Sequence, residues 1–251
     1  MKIRSYHINK NRFKRQICFA LVSDLHGEDP CEVLRVLKEK KPDYILMPGD
    51  VLERLNGKED LAHRHGFALL EAAARIAPVF YSTGNHEDGG VHSWCIFWKI
   101  ATKPRIYHEK DLARIEESGA TFLQDGFVIR DGIAFGGLQS GLINEGGEPS
   151  LAWLDEFCAQ DAPKVLLCHH PEYYKKYLKD RPIDLIVSGH AHGGQWRVFG
   201  RGVFAPGQGL FPKYTAGVHD DRLVIGTGIK KGSLLIPRFF NSPEVVFIHV
   251  T

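Results

Sequence analysis

The sequence has few cysteines, no long apolar run and almost no net charge. Its five cysteines are odd in number and form no Cys-x-x-Cys pair, which argues against a disulfide framework and for a reducing, cytoplasmic compartment. No stretch approaches the roughly 18 apolar residues of a membrane span. The 251 residues include 32 Lys and Arg against 30 Asp and Glu, a net charge of +2. Such a balance provides no field that would attract nucleic acid, and we expect no nucleic-acid partner.

The first 16 residues carry six basic side chains and no acidic one, as the start of a signal peptide does. The apolar run that follows, 17–22, is shorter than a signal core of about 7–15 residues, so we predict no signal peptide. This basic segment and the aromatic cluster at 94–98 could contact a membrane peripherally, because aromatic and cationic side chains favour bilayer interfaces. Packing of those aromatics onto the core is the alternative that we prefer.

Short apolar runs alternate with helical patterns. The runs are rich in branched and aromatic residues and predict buried strands at 17–23, 43–47, 78–82, 164–168 and 184–188. Apolar residues at helical spacing predict helices at 30–41 and 59–76. Residues 122–138 are typical of short strands with a hairpin turn at Asp131-Gly132. No linker or repeat interrupts the chain. The pattern therefore predicts one α/β domain over residues 1–251 with largely parallel central strands.

Each of the five predicted strands ends in polar residues of a metal-binding type. Because ligands bind at the carboxyl ends of strands in open α/β sheets, these side chains are expected at one edge. One histidine or aspartate at a strand end is usually a turn residue, but five occurrences in chain order form a pattern. The residues, in chain order, are Asp24, His26, Asp50, Asn85, His86, His169, His190 and His192.

These residues lie in motifs that resemble those of the calcineurin-like metallophosphoesterases: Asp24-Leu25-His26, Gly49-Asp50, Gly84-Asn85-His86-Glu87, His169 before Pro171, and Gly189-His190-Ala191-His192. The segments GHAHGGQ (189–195), FAPGQGLFPKYTAG (204–217) and RFFNSPEVVFI (238–248) resemble the short bacterial YkuE-like branch. The resemblance implies a calcineurin-like metallophosphoesterase fold, in which two mixed β-sheets pack as a sandwich flanked by helices.

The resemblance also implies a dinuclear metal centre. It assigns Asp24, His26 and His192 to one ion, Asn85, His169 and His190 to the other, and Asp50 to both. Seven ligands are too many for one ion, whereas a shared carboxylate gives each of two ions four ligands and leaves open positions. Oxygen and imidazole ligands without thiolate favour Mn, Fe, Zn or Mg as the two divalent metal ions.

His86 follows a ligand but is assigned to neither ion. By resemblance it is the catalytic residue beside the scissile phosphate, where it protonates the leaving oxygen or stabilises the charge, and an imidazole with an ordinary pKa near 6.5 suits either task. Glu53 or Glu87 could orient His86 or a metal-bound histidine. In the pattern of the family that the chain resembles, the metal histidine stands two residues before the proline, which selects His169 over its neighbour His170. Adjacent strand residues point to opposite faces, so only one of the pair should reach the ions.

The hypothesis that follows is a metal-dependent phosphoric ester hydrolase with a metal-bridging hydroxide as nucleophile. The YkuE-like resemblance implies that the substrate is a phosphodiester or pyrophosphate, small or lipid-linked, and the residue chemistry is compatible with this. No arginine stands in the ligand motifs to clamp a monoester dianion, and a diester needs its leaving alkoxide protonated. The alternatives are a DNA or RNA nuclease of the same superfamily and a non-catalytic scaffold on the same fold. The remaining histidines, His7, His63, His65, His108 and His219, are expected on the surface.

Overall fold

Two six-stranded β-sheets form the centre of the molecule. The computed structural model describes residues 1–53, 61–88, 90–91, 102–103, 109–141, 148–232 and 237–251. The aromatic cluster at 94–98, for which membrane contact or core packing was expected, lies outside these described residues.

The first sheet mixes parallel and antiparallel pairs. Strand β18 (Glu244–Val250) is parallel to β1 (Lys2–Ile8) and antiparallel to β2 (Ile17–Leu21), and the remaining neighbours in the sheet are parallel. In spatial order the strands are β1 (Lys2–Ile8), β18 (Glu244–Val250), β2 (Ile17–Leu21), β3 (Tyr44–Pro48), β4 (Val79–Ser82) and β7 (Thr121–Leu123).

The second sheet is parallel in its centre and antiparallel at both edges. In spatial order it contains β16 (Gly217–His219), β17 (Leu223–Ile225), β11 (Leu185–Ser188), β10 (Lys164–Cys168), β9 (Ile133–Leu138) and β8 (Gly126–Arg130). Three two-stranded ribbons add β5 (Gly90–Val91) with β6 (Thr102–Lys103), β12 (Arg197–Val198) with β13 (Arg201–Gly202), and β14 (Phe204–Ala205) with β15 (Gly209–Leu210).

Helices connect the strands. They are α1 (Cys31–Lys40), α2 (Leu61–Ala74), α3 (Asn85–Asp88), α4 (Glu109–Glu117) and α5 (Leu154–Ala159), with a π-helical turn at Tyr174–Leu178 and a 3₁₀ turn at His192–Gly194. Helix α1 buries one face through Val33, Val36 and Leu37, and it ends where Lys41 turns left-handed and donates its N–H to the Leu37 carbonyl. No described helix is both long enough and apolar enough to cross a bilayer.

The two sheets pack face to face around an aromatic core. The rings of Phe80 and Phe135, from opposite sheets, stack with centroids 3.7 Å apart. Phe19 and Leu21 of β2 enter this core, whereas Ala20 packs with the helices on the other side of the first sheet. This alternation follows from the two-residue period of a strand that is covered on both faces. The predicted sandwich of two mixed sheets flanked by helices is confirmed.

The five predicted strands and the hairpin at Asp131-Gly132 are present, as are helices α1 and α2. The structure adds a strand at the N-terminus, for which the basic composition of residues 1–16 gave no indication. Residues 2–8 form edge strand β1, which pairs along its whole length with β18. The pairing partner lies more than 230 residues away in the chain, so local sequence carries little signal for it.

Candidate metal centre

The predicted ligands come together from both sheets. Asp24 and His26 follow β2, Asp50 follows β3, and Asn85 opens α3 directly after β4. His169 follows β10 of the second sheet, and two further histidines, His190 and His192, follow β11. Because these strands are parallel within each sheet, their carboxyl ends lie at one edge of the sandwich.

Asp24, His26 and His192 form the first cluster. The Nε2 atoms of the two histidines are 3.2 Å apart. Oδ1 of Asp24 lies 3.9 Å from Nε2 of His26 and 3.7 Å from Nε2 of His192. One donor atom from each residue thus faces a common point, with all separations within 4.8 Å.

Asp50, His169 and His190 form the second cluster, in which the donor atoms also lie within 4.8 Å of one another. Asn85 joins this cluster, since its Oδ1 is 3.1 Å from Nε2 of His169. Nδ1 of His169 is 2.8 Å from the Pro48 carbonyl oxygen. A hydrogen bond at Nδ1 fixes the ring so that Nε2 faces the cluster, as in many metal sites.

Asp50 lies between the two clusters. Its Oδ2 is 3.4 Å from Nε2 of His26 and 3.2 Å from Nε2 of His169. Its Oδ1 accepts a hydrogen bond of 3.0 Å from the backbone N–H of His86. One carboxylate therefore touches a ligand of each cluster, which is the arrangement that a shared ligand requires.

The backbone of the site is strained. Five of the seven predicted ligand residues have a positive φ between 45° and 63°: Asp24, His26, Asp50, His190 and His192. Residues other than glycine rarely adopt this conformation, and it is concentrated at functional sites. Two glycines allow neighbouring loops to approach these strained residues closely. A Cβ at Gly84 would collide with Asp50, and one at Gly189 would collide with Asp24.

Electrostatics favour ionised carboxylates in the site. Burial raises the pKa of Asp50, but His169 and His86 outweigh this and hold it well below its usual value. Burial likewise raises the pKa of Asp24, but the nearby His192 and His169 outweigh this effect and hold the pKa below its usual value. Burial would lower the pKa of His169, but the Asp50 carboxylate raises it to about 10.

Two of the predicted histidine ligands stay neutral. Burial lowers the pKa of His190 well below its usual value, and the neighbouring His170 and His169 add to the fall. Burial also lowers the pKa of His192, to about 3. The neutral imidazole is the form that binds metal.

Glu53 orients two histidines. Its Oε1 is 3.0 Å from Nδ1 of His86, and its Oε2 is 3.3 Å from Nδ1 of His26. Burial would raise the pKa of Glu53, but these two histidines keep it far below its usual range. The carboxylate accepts from Nδ1 of His86 and leaves Nε2 of that ring, 4.0 Å from Oδ2 of Asp50, facing the cluster.

Glu87 has a different role from Glu53, although the sequence did not distinguish them. It accepts hydrogen bonds from the backbone N–H groups of Asp50, Val51, Leu52 and Gly84 and from the hydroxyl of Tyr81. Burial and the Asp50 carboxylate raise the pKa of Glu87 to about 7, while these N–H donors oppose the rise. Glu87 thus ties the loop after β3 to the loop after β4.

His169 and His170 make separate contacts, as expected. His169 contacts Asp50 and Asn85, whereas Nε2 of His170 is 2.9 Å from the hydroxyl of Ser140. His170 nevertheless remains beside the site, because its ring centroid is 4.3 Å from that of His190. The two residues follow the end of β10, where the strict alternation of a strand no longer holds.

The ligand motifs do not contain Arg238, which the structure adds to the site. Its Nη2 donates to Nδ1 of His192 over 3.0 Å and to the Thr227 carbonyl over 2.8 Å. Arg238 thus holds the edge of His192 that faces away from the first cluster. Its only sequence signal is membership of the RFFNSPE segment that precedes β18.

The expectation that His63 lies on the surface is wrong. Its side chain is buried in α2, with Nε2 3.2 Å from Oδ1 of Asp111 and its ring against Phe67. The contact with α4 decides this burial, and α2 shows no sequence signal for it. His7 is exposed, His65 and His219 are half-buried, and His108 lies outside the described residues.

The chemistry of the donor set fits divalent metals. Two buried carboxylates, one carboxamide and four imidazoles converge, and no thiol is among the donors in the described clusters. Such oxygen and nitrogen sets bind Mn, Fe, Zn or Mg.

Comparison with known proteins identifies the family. The profile of the calcineurin-like phosphoesterases matches residues 18–194, more than half of the chain, including every predicted ligand. The chain belongs to this family. Membership confirms the predicted resemblance and places the chain among the metallophosphoesterases, which are hydrolases that use divalent metals.

Several bacterial metallophosphoesterases and one solved structure are similar to this chain. YpbG of Bacillus subtilis (strain 168) is 51% identical over 207 residues, 80% of this chain and 70% of YpbG. Phosphodiesterase YaeI of Escherichia coli (strain K12) is 29% identical over 84% of this chain and 72% of YaeI. The B. subtilis metallophosphoesterase YkuE is 25% identical over 87% of this chain and 71% of YkuE. The sulfate thiohydrolase SoxB of Thermus thermophilus shares the fold, with a TM-score of 0.50 and 14% identity over 84% of this chain and 51% of SoxB.

Other curated relatives are longer than this chain. The chain spans 40% of the length of a transmembrane protein with a metallophosphoesterase domain from Bos taurus. It spans 52% of the length of a metallophosphoesterase from Caenorhabditis elegans.

Proposed function

We propose that this metallophosphoesterase is a dinuclear enzyme that hydrolyses a phosphodiester or a pyrophosphate bond. The observation that carries the proposal is the position of Asp50, whose Oδ2 is 3.4 Å from a histidine of one cluster and 3.2 Å from a histidine of the other. Asp24, His26 and His192 would hold one ion, and Asn85, His169 and His190 the second, with Asp50 shared.

Two divalent ions supply charge stabilisation on the phosphoryl oxygens and lower the pKa of water. His86 supplies the proton. Since Nδ1 of His86 is held by Glu53, Nε2 is the atom that gives its proton to the leaving oxygen. The side chain of His86 is 15% exposed, against 2% for Asp50, so a substrate at the site can reach it.

The preference for a diester over a monoester rests on charge. A monoester dianion gains from cationic side chains that clamp its phosphoryl oxygens. The one arginine that contacts a predicted ligand in the described residues, Arg238, donates to the rear edge of His192 and to a carbonyl. The relative YaeI is named a phosphodiesterase, which supports the same choice. A small or lipid-linked substrate and a cytoplasmic location remain part of this proposal.

The experiment compares kcat/KM of the Mn-loaded protein for bis-p-nitrophenyl phosphate, p-nitrophenyl phosphate and a nucleotide–lipid pyrophosphate, with single-stranded DNA as a fourth substrate. We expect the diester or the pyrophosphate to be preferred. A monoester preference of about tenfold, equivalent to about 1.4 kcal/mol, would overturn the diesterase assignment. Preferential cleavage of DNA would replace it with the nuclease alternative.

A further inference from the structure

Exposed apolar side chains are concentrated in one part of the molecule. Four of the described large apolar residues are more than 60% exposed: Phe199 (102%), Phe240 (93%), Phe211 (76%) and Leu210 (69%). All four come from residues 196–240. Three less exposed residues from the same stretch join them, Phe239 (54%), Val198 (53%) and Trp196 (42%). We call these seven residues the aromatic surface.

Backbone hydrogen bonds connect the parts of the aromatic surface. The N–H of Phe211 donates to the Val203 carbonyl, and the N–H of Val203 donates to the Trp196 carbonyl, each over 2.9 Å. Trp196 in turn forms a bridge with Phe239. The two ribbons β12–β13 and β14–β15 and the segment before β18 therefore form one hydrogen-bonded unit.

The aromatic surface lies at the metal end of the sandwich. Both ribbons follow β11 after its carboxyl end, where His190 and His192 stand, and the chain then re-enters the second sheet at β16. Residues 239–240 precede β18, whose first half pairs antiparallel with the carboxyl end of β2, just before Asp24. Asn241, next to Phe240, donates to the His192 carbonyl.

The charge around this surface is predominantly positive. Residues 185–219 and 222–243 contain no aspartate or glutamate but seven lysines and arginines. Arg201, Lys213 and Lys231 are exposed among them. The two acidic residues between these stretches, Asp220 and Asp221, stand in the turn at the far end of the β16–β17 hairpin. Two acidic residues approach the surface from other loops: Glu28, 3.7 Å from Nζ of Lys230, and Glu172, whose carboxylate lies beside Gly207 in the turn between β14 and β15.

We propose that the aromatic surface docks onto an anionic lipid bilayer. Exposed aromatic rings enter the boundary between headgroups and acyl chains, and nearby cations pair with anionic headgroups. A monomeric soluble protein rarely exposes so many large apolar side chains together without a partner. The three exposed phenylalanines Phe199, Phe211 and Phe240 have positive φ values of 48–53°, an unfavourable conformation for bulky residues that is typical of functional segments.

Docking would place the ligand clusters next to the headgroups. This consequence rests on the proposed function, because it identifies the substrate as a phosphodiester or pyrophosphate in a lipid headgroup. The docking itself does not rest on the proposed function, since membrane binding requires neither metal nor hydrolysis.

The experiment is co-sedimentation of the protein with vesicles of phosphatidylcholine, with and without phosphatidylglycerol. We expect binding that requires phosphatidylglycerol and falls as salt is added. The variant F199S/F211S/F240S should lose at least about tenfold in partition coefficient. The variant R201E/K213E should lose a similar factor, because each cation near an anionic surface contributes about fivefold.

Matched controls change equivalent residues elsewhere. L61S/I129S removes two side chains that are 56% and 54% exposed, and K14E/K38E reverses two exposed charges, one in the loop before β2 and one in the last turn of α1. Both controls should bind as the unchanged protein does, and unchanged melting temperatures would show that all four variants fold. Absence of vesicle binding, or equal losses in the controls, would overturn the proposal. So would a dimer that F199S/F211S/F240S converts to a monomer without any vesicle binding, since the surface would then join two copies.

Discussion

Several side chains at the metal centre each contact two partners. Asp50 faces a histidine of each cluster, and Glu53 holds the rings of both His26 and His86. A substitution at such a residue removes two interactions at once. Residues that contact only one predicted site residue, such as Arg238 at His192, should have milder effects on the site.

Asp50→Asn should reduce the affinity for both ions. The amide keeps the shape of the side chain but removes the charge that the two clusters share, so we expect a loss of more than ~100-fold in metal affinity. Elemental analysis after dialysis measures the number of ions per chain. Asp161→Asn, which alters a fully exposed carboxylate, is the control. Two ions retained in Asp50→Asn, or at most one in the unchanged protein, would contradict a shared ligand.

His86→Ala should separate proton transfer from metal binding. We expect both ions to remain and kcat to fall by about 10²–10⁴-fold, the usual contribution of a general acid. The loss should be smaller with a nitrophenolate leaving group, which needs no proton. His7→Ala, at an exposed histidine of β1, is the matched control. Loss of metal from His86→Ala would instead make His86 a ligand.

The elements of the site are loops that follow strands, and buried anchors hold them together. Glu87 of α3 binds three consecutive backbone N–H groups after β3 and one after β4. These groups are buried and need an acceptor, since leaving them without one costs free energy.

Glu87→Gln should therefore destabilise the fold. The amide carries an NH₂ group toward donors that need an acceptor, and we expect the free energy of unfolding to fall by at least about 2 kcal/mol. Tyr81→Phe removes one hydrogen bond to the same carboxylate, and about 1 kcal/mol is expected. Urea denaturation of the metal-free proteins measures both. Equal losses in the two variants would show that the backbone bonds to Glu87 contribute little.

Across the whole molecule, the predicted metal ligands come from both sheets of the sandwich. Asp24, Asp50 and Asn85 come from the first sheet, and His169 and His192 from the second. Bound ions would therefore act as cross-links at the edge, in addition to the aromatic core between the sheets.

Chelation should lower the melting temperature. Ions that bind only the folded chain stabilise it by about 4 kcal/mol when their free concentration is about a thousandfold above Kd. For a chain of this size that corresponds to a shift of about 10 °C. Thermal scans with excess Mn and with EDTA measure the shift, and Asp50→Asn should show little of it. An identical melting temperature in both conditions would mean that the ions do not link the sheets.

The sequence determined the strand order along the chain and the polar residue at each strand end. A strand buried on both faces can be predicted from its own run of apolar residues, as at β3 and β10. The position of its carboxyl end is then known to within a residue or two. For this reason the eight proposed site residues could be named before their positions were known. Their convergence follows from the parallel arrangement of the strands.

The tertiary structure alone decided the contacts between residues that are distant in the chain. Glu53 and Glu87 are both acidic residues near a motif, and only the path of the strained loops brings one to His86 and the other to the backbone after β3. Arg238 reaches His192 across 46 residues, and strand β1 finds its partner at the opposite end of the chain. Such contacts depend on loop conformation and on which surfaces remain uncovered, and neither property has a local period in the sequence.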